Sequence, residues 1–529
     1  MGGDSEKVDT QTEDDTESTK ETMILQKQDL AEAKESSVED EMIRGNDGHV
    51  GSSTDPPGGS TVIMQHPRTR VVRTIVIVLG WVCMGLFSEI TGPTLPYLKQ
   101  NVDSNYEEIS RALAARSVGY LVGSLSGGLL CEWFAVYVDV WLAFSLTLAA
   151  IATAVVPWCH SLTLMAVLMC SDGLGKGILA AGGNAFMLRM WGVKAAVPVH
   201  ALHTAFGIGA LIAPLIARPF LGVIPDDDNN VDDVYNISLP ANVSNTTSYN
   251  MTPAAIEYPY SIIAAFTLLM AAIFVLLYWF APIRQEAPQK KSQMSAKDAF
   301  NPSSWLGGDK QLGYAILMFC FLIFMLPVGM ERAYGKFLFS IGVTGRLKLS
   351  PADGTLLESW FWATFTAGRL LVTLAATRVS QIVLILVEIS VNVAATASLV
   401  AYGQASGTTL AIFSGLFAAG MAPLYPTLLS WLNLYVEVTA MLTCMTFFSS
   451  ACGAFVYSWL GGYLFQYEGP DSLFYFMLAS TCVCAMIFAP LYFSVVRYER
   501  GFPRRREISD VYVARDVNRK ETDDARTKL

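Results

Sequence analysis

From residue 71 onward the chain is a succession of apolar stretches separated by polar connections, each stretch long enough to cross about 30 Å of hydrocarbon as a helix. Twelve spans are predicted, at about 71–98, 110–131, 139–158, 162–190, 197–221, 258–281, 312–340, 352–377, 380–402, 408–434, 438–464 and 472–496. The predicted class is an all-α polytopic membrane protein. A polar connection at 282–311 divides it into six-helix halves, 71–281 and 312–496, flanked by tails at 1–70 and 497–529. The halves echo one another: Gly119-x-x-x-Gly123 in span 2 faces Gly368-Arg369 in span 8, and Gly209-Ala210 in span 5 matches Gly453-Ala454 in span 11. Parallel six-helix repeats place a solute site near the bilayer midplane, between halves.

Polar residues between the spans orient them. Arg68, Arg70 and Arg73, then Arg284, Lys290, Lys291 and Lys297, then Arg497, Arg500, Arg504, Arg505 and Arg506 all flank the same side, which the positive-inside rule makes cytoplasmic. The segment 222–257 lacks Lys and Arg and carries four N-x-S/T sequons, at Asn236, Asn242, Asn245 and Asn250, so it is expected outside and glycosylated. No signal peptide precedes the first span, so both termini are expected in the cytoplasm, with the plasma membrane as the location.

Composition sharpens this. Of 529 residues, 52% are hydrophobic and 16% charged, which excludes a string of soluble domains. The net charge of −10 belongs to the N-terminal tail: residues 1–70 hold 16 Asp or Glu against 7 Lys or Arg, a net of −9 that leaves the rest at −1. Such a tail buries too little apolar surface to offset chain entropy and is expected to be disordered. No basic surplus exists for nucleic acid. The nine cysteines lie almost wholly in apolar runs without C-x-x-C spacing, so neither a disulfide framework nor a metal site is expected.

Gly175-Lys176 is followed by Gly177, so it is no Walker A motif, and neither a nucleophile elbow nor H-E-x-x-H occurs. No enzyme and no cofactor is expected; a sodium ion or proton enters only as a co-substrate. The chemistry left is the charge inside the spans: Glu89, Asp172, Glu331, Glu358 and Glu388 against Arg116, Lys176, Arg332 and Arg369. Each costs about 2.5–3.5 kcal/mol on insertion scales, so each should face the interior and pair. Asp172 and Lys176 lie four apart on span 4, and Glu89 on span 1 sits at comparable depth; the three are expected to form a cation-coupling cluster, or else a static lock between helices.

In span 7, Pro327 and Gly329 precede Glu331-Arg332 and Tyr334, a pattern that breaks helices beside a cavity. Glu331 and Tyr334 are substrate or gate candidates, with a local Glu–Arg pair as the alternative. Glu358 and Trp362, one turn apart on span 8, combine a carboxylate with an aromatic platform suited to a sugar, unless Trp360 and Trp362 belong to the outer aromatic belt. His200 and His203 share a face of span 5, as a proton relay or as packed, hydrogen-bonded groups. The glycines at 119, 123, 173 and 177 have the spacing that lets helices approach closely.

Several motifs stand out along the spans: Gly92-Pro-Thr-Leu-Pro-Tyr97, Tyr106-x-x-Ile-Ser-x-x-Leu-x-Ala-Arg-Ser-Val-Gly-Tyr120, Gly182-Gly-Asn184, Ala201-Leu-His-x-x-Phe-Gly-x-Gly-Ala210 with Pro214, Phe365-Thr-x-Gly-Arg369 after Trp362, and Tyr425-Pro-Thr427. Together they resemble the major facilitator superfamily, within it the sodium-dependent glucose transporter-like (major facilitator superfamily domain-containing 4) group of the fucose–proton symporter branch. The resemblance covers nearly all of 71–496. It implies a rocker-switch carrier of a hexose, working as a monomer in the bilayer, with sodium or a proton as the coupled ion. It also implies a sugar cavity lined from spans 4 and 10 by Asn184 and Tyr425. Where the branch carries an acid before the small-small-Asn motif this chain has Ala180, with Asp172 and Lys176 one to two turns outward. A small organic anion, drawn by Lys176 and Arg116, is the alternative solute, and a non-transporting sensor the alternative class.

Overall fold

The structure is a computed structural model, and it describes residues 67–222, 254–283, 310–435 and 440–501. The sequons Asn236, Asn242, Asn245 and Asn250, the linker bases and most of both tails lie outside the described residues.

The described chain is helical. The first half holds α1 (Pro67–Glu89), α2 (Thr91–Asn101), α3 (Tyr106–Trp133), α4 (Val138–Val155), α5 (Leu162–Trp191), α6 (Ala196–Ala217) and α7 (Glu257–Phe280). The second holds α8 (Lys310–Thr344), α9 (Pro351–Ala375), α10 (Gln381–Tyr402), α11 (Gly407–Met421), α12 (Leu424–Tyr435), α13 (Ala440–Tyr467) and α14 (Ser472–Gly501). Spans 1 and 10 are each broken into two helices, α1–α2 and α11–α12. Span 7, expected to break at Pro327, is the continuous helix α8.

Among the described residues, nine helical stretches are long and apolar enough to cross a membrane; α3, α9 and α13 are not among them. In α3 and α9 the reason is local: α3 carries Glu107, Glu108, Arg111 and Arg116 among many small residues, and α9 carries Asp353, Glu358 and Arg369. Both start at capped ends. Asn105 closes a capping box with Glu108, and Ser350 accepts from the Asp353 amide just ahead of Pro351. Asn105 and Ser350 are separated by the same 245 residues as Gly123 and Gly368, so the echo between halves extends to the caps.

Packing repeats in the same way. In the first half α3 packs on α5, α1 on α6, and α4 on α5 and α7; in the second α9 packs on α11, α8 on α13, and α10 on α11 and α14. Each pair recurs six spans later. The halves then meet through α3 against α13, α6 against α9, and α2 against α8. The α3–α5 seam is the tightest. A Cβ at Gly119 would strike the Cys170 carbonyl and one at Gly173 the Arg116 carbonyl, so the two backbones touch. Lipid offers no hydrophobic drive for helix association, and this close van der Waals contact replaces it.

The turn between α2 and α3 and the start of α9 lie on one face of the bundle, here the loop face; α1 begins and α14 ends at the opposite, terminal face. Arg73, counted above among the flanking bases, is fully buried: its guanidinium pairs with Asp139 of α4 at 2.5 Å and donates to the Ala281 carbonyl at 2.7 Å. Its charge is neutralised inside the bundle, so it adds nothing to that flank.

Candidate functional site

The break in span 1 organises the centre of the bundle. Pro93 has no N–H to return to the Glu89 carbonyl, so the backbone ladder is interrupted where α1 ends and the helix presents the negative end of its dipole to the bundle interior. Cations from both halves gather there. The Ser88 carbonyl accepts from Arg116 Nη1 at 3.1 Å and from Lys336 Nζ. Thr91 Oγ1 accepts from Arg116 Nη1 at 3.0 Å.

Glu89 is 1% exposed and bridges the halves. Its Oε2 lies 2.6 Å from Lys336 Nζ and its Oε1 2.9 Å from Arg332 Nη1. The two bases stand one turn apart on α8. Arg332 Nη2 continues to Glu331 Oε1 at 3.1 Å, and Glu331 Oε2 lies 3.8 Å from Arg369 on α9. A ladder of alternating charge thus runs from α1 through α8 to α9.

The expected Glu89, Asp172, Lys176 cluster takes a different form. Asp172 turns to Arg116, with Oδ2 2.8 Å from Nε at an angle too poor for a hydrogen bond. The glycine seam explains the choice, because it brings α3 close enough for a guanidinium to outcompete an ammonium on the same helix. Among the described residues no carboxylate comes within ion-pair distance of Lys176, whose Nζ sits 5.1 Å from the centre of the Phe206 ring.

Lys176 points into a cavity of about 200 Å³ between the halves. Trp81, Lys176, Asn184, Phe206 and His203 line it from the first half, and Glu331, Arg332, Arg369, Tyr425 and Ser450 from the second. Among the described residues neither Asn184 Oδ1 nor Trp81 Nε1 has a hydrogen-bond partner. Tyr425 meets Phe324 edge-on with ring centres 5.0 Å apart, and His203 meets Trp81 edge-on at 5.0 Å. His200 and His203 are both solvent-accessible, so they do not form one buried pair.

Three candidates lie behind the lining. Tyr334 is wholly buried, its hydroxyl 2.7 Å from Ser414 Oγ and its ring against Phe417. Trp362 is also wholly buried and backs Phe206 with ring centres 6.1 Å apart, while Trp360 is the exposed member of the pair. Glu358 is 0% exposed, with neither carboxylate oxygen hydrogen-bonded, and its head packs on Gly92 so closely that any Cβ there would collide with it. Apart from all of these, Glu388 on α10 accepts from Thr427 at 2.9 Å.

Toward the loop face the two halves are tied together. Above the Glu89 ladder, Trp459 Nε1 donates to Glu107 Oε1 at 2.9 Å, and the Tyr106 amide donates to Gln466 Oε1 at 2.9 Å. Both bonds join α3 to α13 across the halves. Lys336, Trp81 and Asp139 are not among the residues singled out by the sequence pattern. Lys336 was within reach, being one turn beyond Arg332 on a span; Trp81 carried no pattern that separates a cavity wall from a belt aromatic.

Comparison with known proteins agrees with this architecture. The Major Facilitator Superfamily description matches residues 77–456. The chain is 29% identical over 420 residues to the Homo sapiens protein named sodium-dependent glucose transporter 1, covering 77% of each chain. It is 24% identical over 464 residues to Homo sapiens major facilitator superfamily domain-containing protein 4A, covering 78% of this chain and 88% of that one. Among solved structures, the nucleoside transporter NupG shares the fold at TM-score 0.58 and 12% identity, covering 80% of this chain and 100% of that one. The transporter FucP in its outward conformation does so at 0.51 and 18%, covering 81% and 99%. With its repeated helix packing around a central cavity and the family match over most of its length, this chain belongs to the Major Facilitator Superfamily and is a membrane transporter, not an enzyme.

Proposed function

We propose that this chain is a secondary transporter that carries a hexose-sized sugar by alternating access and couples its movement to a cation, sodium first. One observation carries the reading: the cavity between the halves, with Asn184 Oδ1 and Trp81 Nε1 unpartnered in its wall, adjoins a carboxylate that ties the halves together. A cavity of about 200 Å³ suits one sugar ring, and unpartnered polar atoms suit its hydroxyls. The names of the relatives, sodium-dependent glucose transporter 1, support sugar and sodium alike.

Coupling follows from Glu89. While Lys336 and Arg332 hold it, the loop face stays shut. A sodium ion or proton arriving at this carboxylate supplies the positive charge that the two bases supply now, and lets α8 move away from α1. Asp172 and Lys176 lie alongside and set the local charge. Tyr334, Glu358 and Trp362 support the lining instead of touching the solute, whereas Asn184, Glu331 and Tyr425 touch it. The protein sits in the plasma membrane as a monomer with both termini cytoplasmic, and glycans on Asn236, Asn242, Asn245 or Asn250 would mark the outer face.

The test is uptake of labelled glucose into proteoliposomes under an inward sodium gradient, an inward proton gradient or neither. Gradient-driven uptake that disappears in Glu89→Gln is the expected result. Uptake indifferent to every gradient removes coupling and leaves a uniporter; no uptake of any hexose removes the sugar.

A further inference from the structure

The charges around the cavity do not balance. Five bases line it, namely Arg116, Lys176, Arg332, Lys336 and Arg369, and Glu331 is the lining carboxylate. Glu89 and Asp172 stand directly behind, which makes three acids for five bases. Arg116 is answered by Asp172, Lys336 by Glu89, Arg332 by Glu89 and Glu331, and Arg369 by the far oxygen of Glu331 together with the Ala422 carbonyl at 3.0 Å. Among the described residues Lys176 makes no ion pair: its Nζ sits over the face of Phe206, which Arg332 also shares at 5.7 Å, and the carboxylates that reach it from farther off, Glu89 and Asp172, are already engaged by other bases. A ring quadrupole is a weak substitute for a carboxylate. Glu358 packs its head against Gly92 outside the lining, and the base it acts on is Lys336, not Lys176.

A lysine that projects into a solute cavity with no ion-pair partner, beside carboxylates already held by other bases, is costly unless something that enters the cavity completes it. We propose that the solute supplies the missing charge: it is a hexose-sized organic anion, an acidic sugar such as a hexuronate or aldonate, whose carboxylate seats on Lys176 while its hydroxyls reach the unpartnered Asn184 Oδ1. Glucose would fill the cavity and leave the ammonium unanswered. The inference rests on the transport reading for the size and polyol character of the solute; the charge comes from Lys176 alone.

The experiment uses purified full-length protein, with thermal unfolding read against titrated glucose, glucuronate and pyruvate, alongside uptake of labelled glucose and glucuronate into proteoliposomes. Glucuronate is expected to bind about tenfold or more tightly than glucose, the scale of one charge-assisted hydrogen bond. Lys176→Met should erase the preference and Lys176→Arg should keep it. Equal binding of glucose and glucuronate, or a preference that survives Lys176→Met, overturns the proposal. Should Lys176→Met not fold, the preference of the wild-type protein and its persistence in Lys176→Arg decide the matter. Pyruvate bound in a Lys176-dependent way with neither sugar bound would uphold the anion and remove the sugar. Glucose carried without any anion preference would do the reverse.

Discussion

Lys336 Nζ and Glu89 Oε2 lie 2.6 Å apart, and the two residues belong to opposite halves of the bundle. Removing either one strands the other in a buried site, at a cost of about 3–5 kcal/mol for a broken buried pair. Removing both costs less than the sum. Thermal denaturation of Glu89→Gln, Lys336→Met and the double variant should therefore show a favourable coupling of about 1 kcal/mol or more. Strict additivity would mean that Arg332 alone holds the carboxylate.

Gly92 supplies a second prediction. Its missing Cβ is the space into which the Glu358 head fits, so Gly92→Ala drives a methyl into a carboxylate and should destabilise the protein by about 1–3 kcal/mol. Shortening the acid in a Gly92→Ala, Glu358→Ala pair should recover most of that loss. A Gly92→Ala melting curve matching wild type would show that α9 gives way there.

Glu107 makes the loop-face closure sensitive to pH in one direction. Hydrogen bonds from Arg111 and then from Trp459 hold its carboxyl below the usual carboxylate range. A lowered group gives its full stabilisation above the unfolded value and loses it as pH falls through the folded one. Closure should be flat around neutrality and weaken only in the acid range. The protection of a cysteine placed at Ser110, which is buried under Gly462, reads this when its alkylation rate is divided by that of the unfolded protein at the same pH: protection should be high at neutral pH, fall in acid, and already be low in Glu107→Gln at neutral pH.

Asn184→Ala removes one neutral hydrogen-bonding group from the cavity wall. The apparent affinity for the transported solute should fall by about 2- to 10-fold, the value of one such bond, with little change in maximal rate. A loss confined to maximal rate would place Asn184 in the moving parts and not in the solute contact.

Much of this was legible along the chain, for identifiable reasons. Spans announce themselves because a bilayer demands long apolar runs, and the α3–α5 seam does so through glycine spacing. Glu89, Lys176 and Glu331 draw attention because charge in hydrocarbon is rare and costly, and Asn184 and Tyr425 because the family resemblance places them at the cavity; Lys176, Asn184, Glu331 and Tyr425 do line it. What resisted was partnership. Asp172 and Lys176 satisfy the one-turn rule for an ion pair, yet a guanidinium on a neighbouring helix takes the aspartate, and helix-to-helix distance has no signature along one strand of sequence. Glu358 and Trp362 likewise read as a sugar platform, whereas the rotation of α9 places one under Gly92 and the other behind Phe206.

The charge and small residues that fit α3 and α9 for the interior also bear on how the protein is made. Neither helix is apolar enough to partition into lipid by itself, although their partners α5 and α11–α12 lie in stretches that are. A translocon releasing segments in order would have to retain span 2 until span 4 emerges, and span 8 until span 10 does. Biogenesis would then proceed in two matched delays, one per half, and substitutions that loosen the Gly119–Gly173 contact would surface first as failed membrane integration, before any defect in the finished protein.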